Sequence, residues 1–367
     1  MAIVTRSFWR VAPIVALVAI VVMLIWRTLS APMNIDDIAE RFLTTHDIPG
    51  AVIGIAVPGQ PYDIRAYGLA DQETARPMQI GDRFRLASLS KPVTATVVQR
   101  LIASDPELDL DMPLAKGFRE FGEVYDKRMM QITLRHLLQH SAGWDWSQDI
   151  DPFFLEAKEL NQELKLRLQQ LESCVPIANA MLEHSLQTDP GVAYSYSNIG
   201  YCWLELWIVH QTGERYELAA KALVPEIRSL SLNNDVVTVT HHGLSDEPDM
   251  AVENPNVMAA AGGWIGSAAD YLPFAAAPIG SAVFSKPDYA EGEQYYGLGW
   301  RVWDRANGPF LTHYGAMPGV FSVVVRNREG ATIVALFNGR PADDLSAFLS
   351  LFEELQALAI FDGKARK

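Results

Sequence analysis

Apolar residues recur along this chain with two different periods, and the periods occupy different stretches. Ala51 to Val57 is a compact apolar run containing Gly54, and Tyr62 to Tyr67 follows the turn Pro58-Gly59-Gln60-Pro61; together they predict an antiparallel hairpin. Over residues 88–103 the spacing becomes helical. Val93, Val97, Val98, Leu101 and Ile102 fall on one stripe, and Pro92 sits in the first turn, where its missing N–H is tolerated. Helical spacing dominates from about 120 to 250, with Ile132 to Gln139, Phe154 to Ala180 and Ile199 to Gln211 as candidates. The third is strongly apolar and is closed by Thr212-Gly213. Strand signals return after 290, in Tyr296 to Trp303, Val320 to Arg326 and Ala331 to Phe337, with Asn327-Arg328-Glu329-Gly330 as the turn between the last two. A final amphipathic helix runs from about Ala342 to Ala359. The pattern predicts an α+β fold: one antiparallel sheet built from both chain ends, flanked by helices, with a mainly helical region inserted between.

The start of the chain departs from this pattern. Arg6 and Arg10 precede an apolar stretch from Val11 to Trp26, and Arg27 follows it. A basic start, an apolar middle and small residues beyond describe an export signal. The stretch is shorter than the ~20 residues that span a bilayer comfortably. No clean small-x-small cleavage site precedes Ser30-Ala31, so an uncleaved N-terminal anchor is favoured over a cleaved leader. Residues 1–33 are read as this segment and 34–362 as the domain it carries outside the cytoplasm, periplasmic or at the cell surface. A buried core helix is the plain alternative. The whole 367-residue chain is 49% hydrophobic, enough for a sizeable core. Its net charge of -14 argues against a nucleic-acid partner, since no basic run offsets it.

Cys174 and Cys202 are the only cysteines. An oxidising compartment permits them to pair, but pairing needs Cα atoms within ~7 Å, which spacing cannot establish, and two separate buried thiols fit the apolar surroundings equally well. His136 and His140 stand four apart, yet no Glu follows the first and no third ligand is evident, so no metal or other cofactor is expected. An aromatic group, Trp144, Trp146, Phe153 and Phe154, opens the helical insert and fits packing better than a pocket wall.

Three short motifs carry chemistry. In Ser88-Leu89-Ser90-Lys91, serine and lysine share one helical face, one turn apart. A serine at a helix start has backbone N–H groups and the positive dipole end nearby, which favour a developing oxyanion. A lysine partly buried one turn on, as Lys91 would be, is expected to have its pKa lowered by desolvation and so to accept the serine proton. Tyr196-Ser197-Asn198 adds a phenol and a carboxamide before an apolar helix. A phenol beside a lysine ammonium can ionise well below 10 and act as a base, against the plainer reading of Ser197 or Asn198 as a helix cap. His313-Tyr314-Gly315 comes third, one strand before a hairpin.

With these motifs in order, the sequence resembles the class C β-lactamase and penicillin-binding-protein-like serine hydrolases over roughly residues 35–340. The resemblance extends to Leu137-Leu138-Gln139-His140-Ser141-Ala142-Gly143, to Pro190-Gly191 before the second motif, and to Tyr201 and Thr212-Gly213 after it. It also takes in Ala261-Gly262-Gly263-Trp264-Ile265-Gly266-Ser267 with Asp270, Tyr296-Gly297-Leu298-Gly299-Trp300, and Phe337-Asn338-Gly339. It implies that Ser88 attacks a carbonyl carbon while Lys91 and Tyr196 manage its proton. It further implies that Asn198, His313, Gly315 and Ala316 contact the substrate, with the N–H groups of Ser88 and Ala316 forming the oxyanion hole. No cofactor or metal is implied.

Two departures bear on substrate. The family's true β-lactamases carry Lys at the first position of the third motif, where this chain has His313; its H-x-G form is similar to members acting as esterases, amidases or D-amino-acid peptidases. The usual glycine-rich turn after that motif reads Ala316-Met317-Pro318-Gly319, and the usual P-L-G-M is not visible near Ile227 to Leu232. The expectation is a serine hydrolase acting on a small ester, amide or peptide, with poor β-lactam turnover. A non-catalytic binder of cell-wall peptides or of a protein partner on the same fold is the alternative, and a metalloenzyme built on His136 and His140 a distant third.

Overall fold

The first strand of the domain lies hydrogen-bonded beside the last in the computed structural model, which describes residues 34–118, 123–145, 153, 171–242, 255–306 and 308–361. Helix α1 (Ile35–His46) opens the described chain, with the Asn34 side chain accepting from the N–H of Asp37 as its cap. Strands β1 (Gly50–Ala56), β2 (Asp63–Asp71) and the short β3 (Arg76–Pro77) follow. From the far end come β6 (Gln294–Tyr296), β7 (Arg301–Trp303), β8 (Phe310–Met317), β9 (Val320–Asn327) and β10 (Thr332–Phe337). These eight form one antiparallel sheet in the order β3-β2-β1-β10-β9-β8-β7-β6. Ala51 faces Phe337 and Ile53 faces Ala335 across the join of the two chain ends. The expected sheet built from both ends is therefore present.

Every position of β9 and β10 is buried, and the two cores explain why. Phe321, Val323, Val325, Ile333, Ala335 and Phe337 point to one face, under α1 and the C-terminal helix α9 (Asp344–Gln356). Val320, Val324, Val334 and Leu336 point to the other, toward the helical part of the chain. A strand covered on both faces reads as a continuous apolar run rather than an alternating one.

The helical part holds α2 (Ser90–Ser104), α3 (Leu114–Gly117), α4 (Leu134–Leu138), α5 (Val175–Met181), α6 (Asn198–Thr212), α7 (Tyr216–Leu223) and α8 (Ala268–Ala275). Helix α6 ends on Gly213, whose φ of 68° is the left-handed conformation that glycine adopts freely. Cys174 and Cys202 form a disulfide with Cα atoms 6.0 Å apart, tying the entry of α5 to α6; the reading as separate thiols is set aside. Trp144 and Phe153 are core residues, as the packing reading held, while Trp146, Phe154 and most of the stretch Phe154 to Ala180 lie outside the described residues. So does the apolar stretch Val11 to Trp26; among the described residues no helix is long and apolar enough to cross a membrane.

Three differences from the sequence expectation have physical causes. Tyr296 to Trp303 is two strands, because the chain turns at Gly297 and Gly299. A Cβ at Gly297 would lie 2.0 Å from the carbonyl oxygen of Val283, and Gly299 has a φ of 78°. Helix α1 was not anticipated, its apolar face being only Ile35, Ile38, Ala39 and Phe42. A separate two-stranded sheet, β4 (Phe84–Arg85) with β5 (Ile265–Gly266), joins residues about 180 apart in sequence, a pairing that no local pattern announces.

Candidate active site

That small sheet delivers the chain to Ser88. After β4, residues Ala87–Leu89 make a single 3₁₀ turn before α2 begins. Ala87 has a φ of 48°, a left-handed conformation costing a non-glycine residue roughly 1–3 kcal/mol. Neighbours hold it there. Ser322 Oγ donates to the Leu86 carbonyl at 2.8 Å, Ser90 Oγ to that of Ala87 at 2.7 Å, and Tyr271 Oη to that of Leu89 at 2.8 Å. Gly315 on β8 presses against the same turn: a Cβ there would sit 2.7 Å from the Ser88 nitrogen and 2.8 Å from the Ala87 Cβ. Only glycine allows the strand so close.

Lys91 follows one turn later on α2 and is fully buried. Its Nζ donates to Ser88 Oγ at 3.2 Å, to Asn198 Oδ1 at 2.7 Å and to the Ala261 carbonyl at 2.7 Å. Its three protons therefore each have an acceptor. The Tyr196 hydroxyl donates to Ser88 Oγ at 2.8 Å, and Lys91 Nζ lies 4.8 Å from the Tyr196 ring centre and 5.3 Å from that of Tyr201. Ser88, Lys91, Tyr196 and Asn198 thus form one cluster, as the sequence expected. The phenol does not behave as expected. Burial, joined by Tyr296 and other neighbouring tyrosines, pushes Tyr196 well above 10 rather than below it.

His313 sits inside β8, five positions before the turn at Pro318-Gly319. Its Nδ1 lies 2.8 Å from the Tyr314 carbonyl, so it carries the proton, and Nε2 accepts from the Tyr296 hydroxyl at 2.8 Å. Burial and the Lys91 charge hold the ring neutral, well below its usual range. His313 thus offers no fixed cation. β7 pairs with β8 only as far as Thr312, which leaves the following edge of β8 facing Ser88. Met317 pairs with Val320 across the two-residue turn, so Ala316 is in a non-hydrogen-bonded pair with Phe321, and its N–H points away from β9 toward that open edge.

His140 belongs to this cluster rather than to a metal. It lies past the end of α4 with a φ of 55°, so the i, i+4 helical face assumed for His136 and His140 does not exist. Its Nδ1 accepts the Ser197 N–H at 3.1 Å, and its ring packs 4.2 Å from that of Tyr196 and 4.5 Å from that of Tyr296. His136 Nδ1 accepts the Thr133 N–H in a capping box. Among the described residues no three His, Cys, Asp or Glu side chains gather as a metal set. Beside the aromatic cluster opens a cavity of about 350 Å³, lined by Tyr194, Tyr289, Gln294, Tyr295, Tyr296 and Arg301 among others.

Tyr201, Tyr296 and the Ala261 carbonyl were not singled out as site groups from the sequence. They stand inside recognised motifs, but only the folded chain shows that they touch Lys91 or His313. Glu205 gave a plainer signal: it is the only acid in α6, set within the apolar run Ile199 to Val209.

The Beta-lactamase family profile matches residues 35–356, and the chain belongs to this family of serine hydrolases. It is 32% identical over 200 residues to the esterase EstB of Burkholderia gladioli, covering 54% of this chain and 50% of that protein, so the match spans about half the length of that relative. It is 26% identical over 355 residues to penicillin-binding protein 4 of Amycolatopsis lactamdurans, covering 86% and 88% of the two chains. The D-amino acid amidase of Ochrobactrum anthropi SV3 has the same fold, with a TM-score of 0.67 at 20% identity over 90% of this chain and 98% of that one.

Glu205 supplies a test of the described packing. Burial pushes its carboxyl up to about 8, opposed by a hydrogen bond from the Ala260 N–H. The unfolded chain releases this proton near 4.5, so between the two values the folded protein holds one proton more. The group's contribution to stability is complete below about 4.5 and is lost as pH rises to about 8. Glu205→Gln removes this titration, so its melting temperature should fall less than wild type between about pH 5 and pH 8. Parallel melting curves for the two proteins would contradict the burial of this carboxyl.

Proposed function

We propose that residues 34–362 are a hydrolase domain cleaving a small ester or amide through an acyl-enzyme on Ser88. One observation carries the reading: Ser88 Oγ lies within hydrogen-bond reach of both Lys91 Nζ, at 3.2 Å, and Tyr196 Oη, at 2.8 Å. The Ser88 Oγ–C bond forms as the proton of Oγ passes to the Tyr196 phenolate, beside the Lys91 ammonium. The tetrahedral oxyanion is met by the N–H groups of Ser88 and Ala316. Its collapse breaks the bond to the leaving group, which departs with the proton from Tyr196. Water then attacks the acyl carbon, gives a proton to Tyr196, and releases the acid as Ser88 regains its hydrogen. Asn198 fixes Lys91 and faces the acyl side. His313 shapes the edge through Tyr296, and Gly315 lets β8 approach.

A simple ester or amide, including one made from a D-amino acid, is favoured over a β-lactam because His313 is neutral where efficient β-lactamases place a cation. The likeness to an esterase and to the fold of a D-amino acid amidase supports that choice. The aromatic cavity, at about 350 Å³, is at the small end of ligand sites. The test is p-nitrophenyl acetate and butyrate hydrolysis by wild type and Ser88→Ala, beside a chromogenic cephalosporin. Wild type should show a burst of one nitrophenol per chain that Ser88→Ala loses, and the cephalosporin should turn over far more slowly. Equal slow turnover by both proteins would leave a binding protein on a hydrolase fold, and cephalosporin hydrolysis rivalling the esters would remove the preference against β-lactams.

The pH profile follows from the raised phenol. With Tyr196 held above 10, its phenolate fraction grows about tenfold per pH unit throughout the neutral and alkaline range. kcat/KM should rise steadily to at least pH 9.5, and Tyr196→Phe should abolish the rise. A plateau below pH 8 would make Lys91, as a free amine, the proton acceptor instead.

The domain is further proposed to lie outside the cytoplasm, carried by residues 1–33. The apolar stretch after Arg6 and Arg10 supports this, as does the Cys174–Cys202 disulfide, a bond that persists in oxidising compartments. Cell fractionation with thiol labelling should find the protein in membranes or periplasm with both thiols blocked. Recovery from the cytosol with two reactive thiols would overturn it.

A further inference from the structure

Lys91 takes one of its three acceptors from a segment that has no side-chain anchors of its own. Ala259-Ala260-Ala261-Gly262-Gly263 forms a single π-helical turn, in which the N–H groups of Ala261, Gly262 and Gly263 converge on the Met258 carbonyl. No residue of the turn carries a polar side chain, so its position is imposed from outside. There is no room for larger residues: a Cβ at Gly262 would lie 2.9 Å from the Met317 side chain, and one at Gly263 would lie 2.1 Å from the Pro255 carbonyl oxygen.

Two side chains clamp one residue of this turn, Ala260, one at its N–H and the other at its carbonyl. Glu205 Oε2 accepts the Ala260 N–H at 3.3 Å from the middle of α6. Thr94 Oγ1 donates to the Ala260 carbonyl at 2.7 Å from α2, and it also contacts Tyr216 Oη at 2.7 Å. The next peptide presents the Ala261 carbonyl to Lys91 Nζ at 2.7 Å. Helix α6 therefore reaches Lys91 twice: directly through Asn198 at its first position, and indirectly through Glu205 two turns on. Burying a carboxyl in an apolar helix is costly. A leucine would suit the surrounding core better, and packing alone gives no reason for an acid here.

We propose that Glu205 is a positioning residue for Lys91, acting through the backbone of Ala260 and Ala261. This rests on the acyl-enzyme reading above and adds to it a residue that never touches the substrate. With the clamp in place the Ala261 carbonyl is aimed at Nζ, and Nζ is aimed at Ser88 Oγ. Without it the small-residue turn can shift, and the lysine loses a fixed acceptor while Asn198 and the substrate contacts stay in place. Loss of the clamp should thus slow formation of the acyl-enzyme without weakening ester binding.

The experiment compares pre-steady-state acylation by p-nitrophenyl butyrate in the full chain, as wild type, Glu205→Gln, Glu205→Leu and Glu205→Ala. Leucine keeps the volume and removes the acceptor; glutamine keeps an acceptor oxygen for the Ala260 N–H. Glu205→Leu and Glu205→Ala should keep a burst of one nitrophenol per chain but acylate at least about tenfold more slowly, with KM within about twofold of wild type. Glu205→Gln should recover to within about threefold of the wild-type rate, a rescue that bulk packing does not predict. Should Glu205→Ala fail to fold, the leucine and glutamine pair decides the matter alone. Acylation by Glu205→Leu at the wild-type rate, or glutamine as slow as leucine, would overturn the proposal. Absence of any burst in wild type would be a different result: it would remove the acyl-enzyme itself, and this inference with it.

Discussion

The buried ammonium of Lys91 is the constraint around which the rest is arranged. A charge removed from water costs several kcal/mol unless hydrogen-bonding partners replace its hydration. Here the partners come from three separate parts of the chain: the turn before α2, the first residue of α6 and the small-residue turn at 259–263. The last two lie 107 and 170 residues away in sequence. The chain must therefore close around one atom, and packing that failed to bring all three groups together would leave a charge unpaired. The helical insert carries Tyr196 and Asn198 to the lysine, the small β4–β5 sheet leads into the serine turn, and the large sheet supplies the β8 edge.

The serine turn is the second consequence. Ala87 is held in a left-handed conformation that the segment would not choose alone. The bonds that hold it come from β9, α2 and α8, all elements with their own reasons to be in place. Strain of this kind survives only where the surroundings over-determine the backbone. Its effect is that Ser88 Oγ is placed by the scaffold and need not find its partners by rotation. Gly315 completes the arrangement, since any side chain there would push β8 off the turn.

What could be read in the sequence was whatever is local. Ser88 and Lys91 share a helix turn, the β9–β10 hairpin has its own turn residues, and the two-sided burial of those strands shows as apolar runs that only Ser322 breaks between Val320 and Val325. What could not be read depends on distant groups. The break between β6 and β7 comes from the Val283 carbonyl against Gly297, and the disulfide from a 6.0 Å approach of α5 to α6. The Tyr196 phenol is the sharpest case. A neighbouring lysine argues for a lowered pKa, but desolvation of the phenol and a ring of tyrosines argue the other way and prevail. Motif spacing identifies the groups; only the packing fixes their proton affinities.

The same packing sets the sign of the site's potential. His140 and His313 both stand beside the reacting cluster, and burial holds both neutral. The charges felt by both rings are those of Lys91 and Arg301, and both push the imidazoles in the same direction. The site thus holds two cations, Lys91 and Arg301, inside a chain whose net charge is -14. Such a site favours a reaction in which negative charge develops on the substrate, because dipoles and cations fixed beforehand need no reorganisation as the oxyanion forms. Were either imidazole to take a proton, it would add charge to a cluster that already holds the Lys91 ammonium in a dry setting. The neutral histidines follow first from burial and then from the same buried charge that organises the fold.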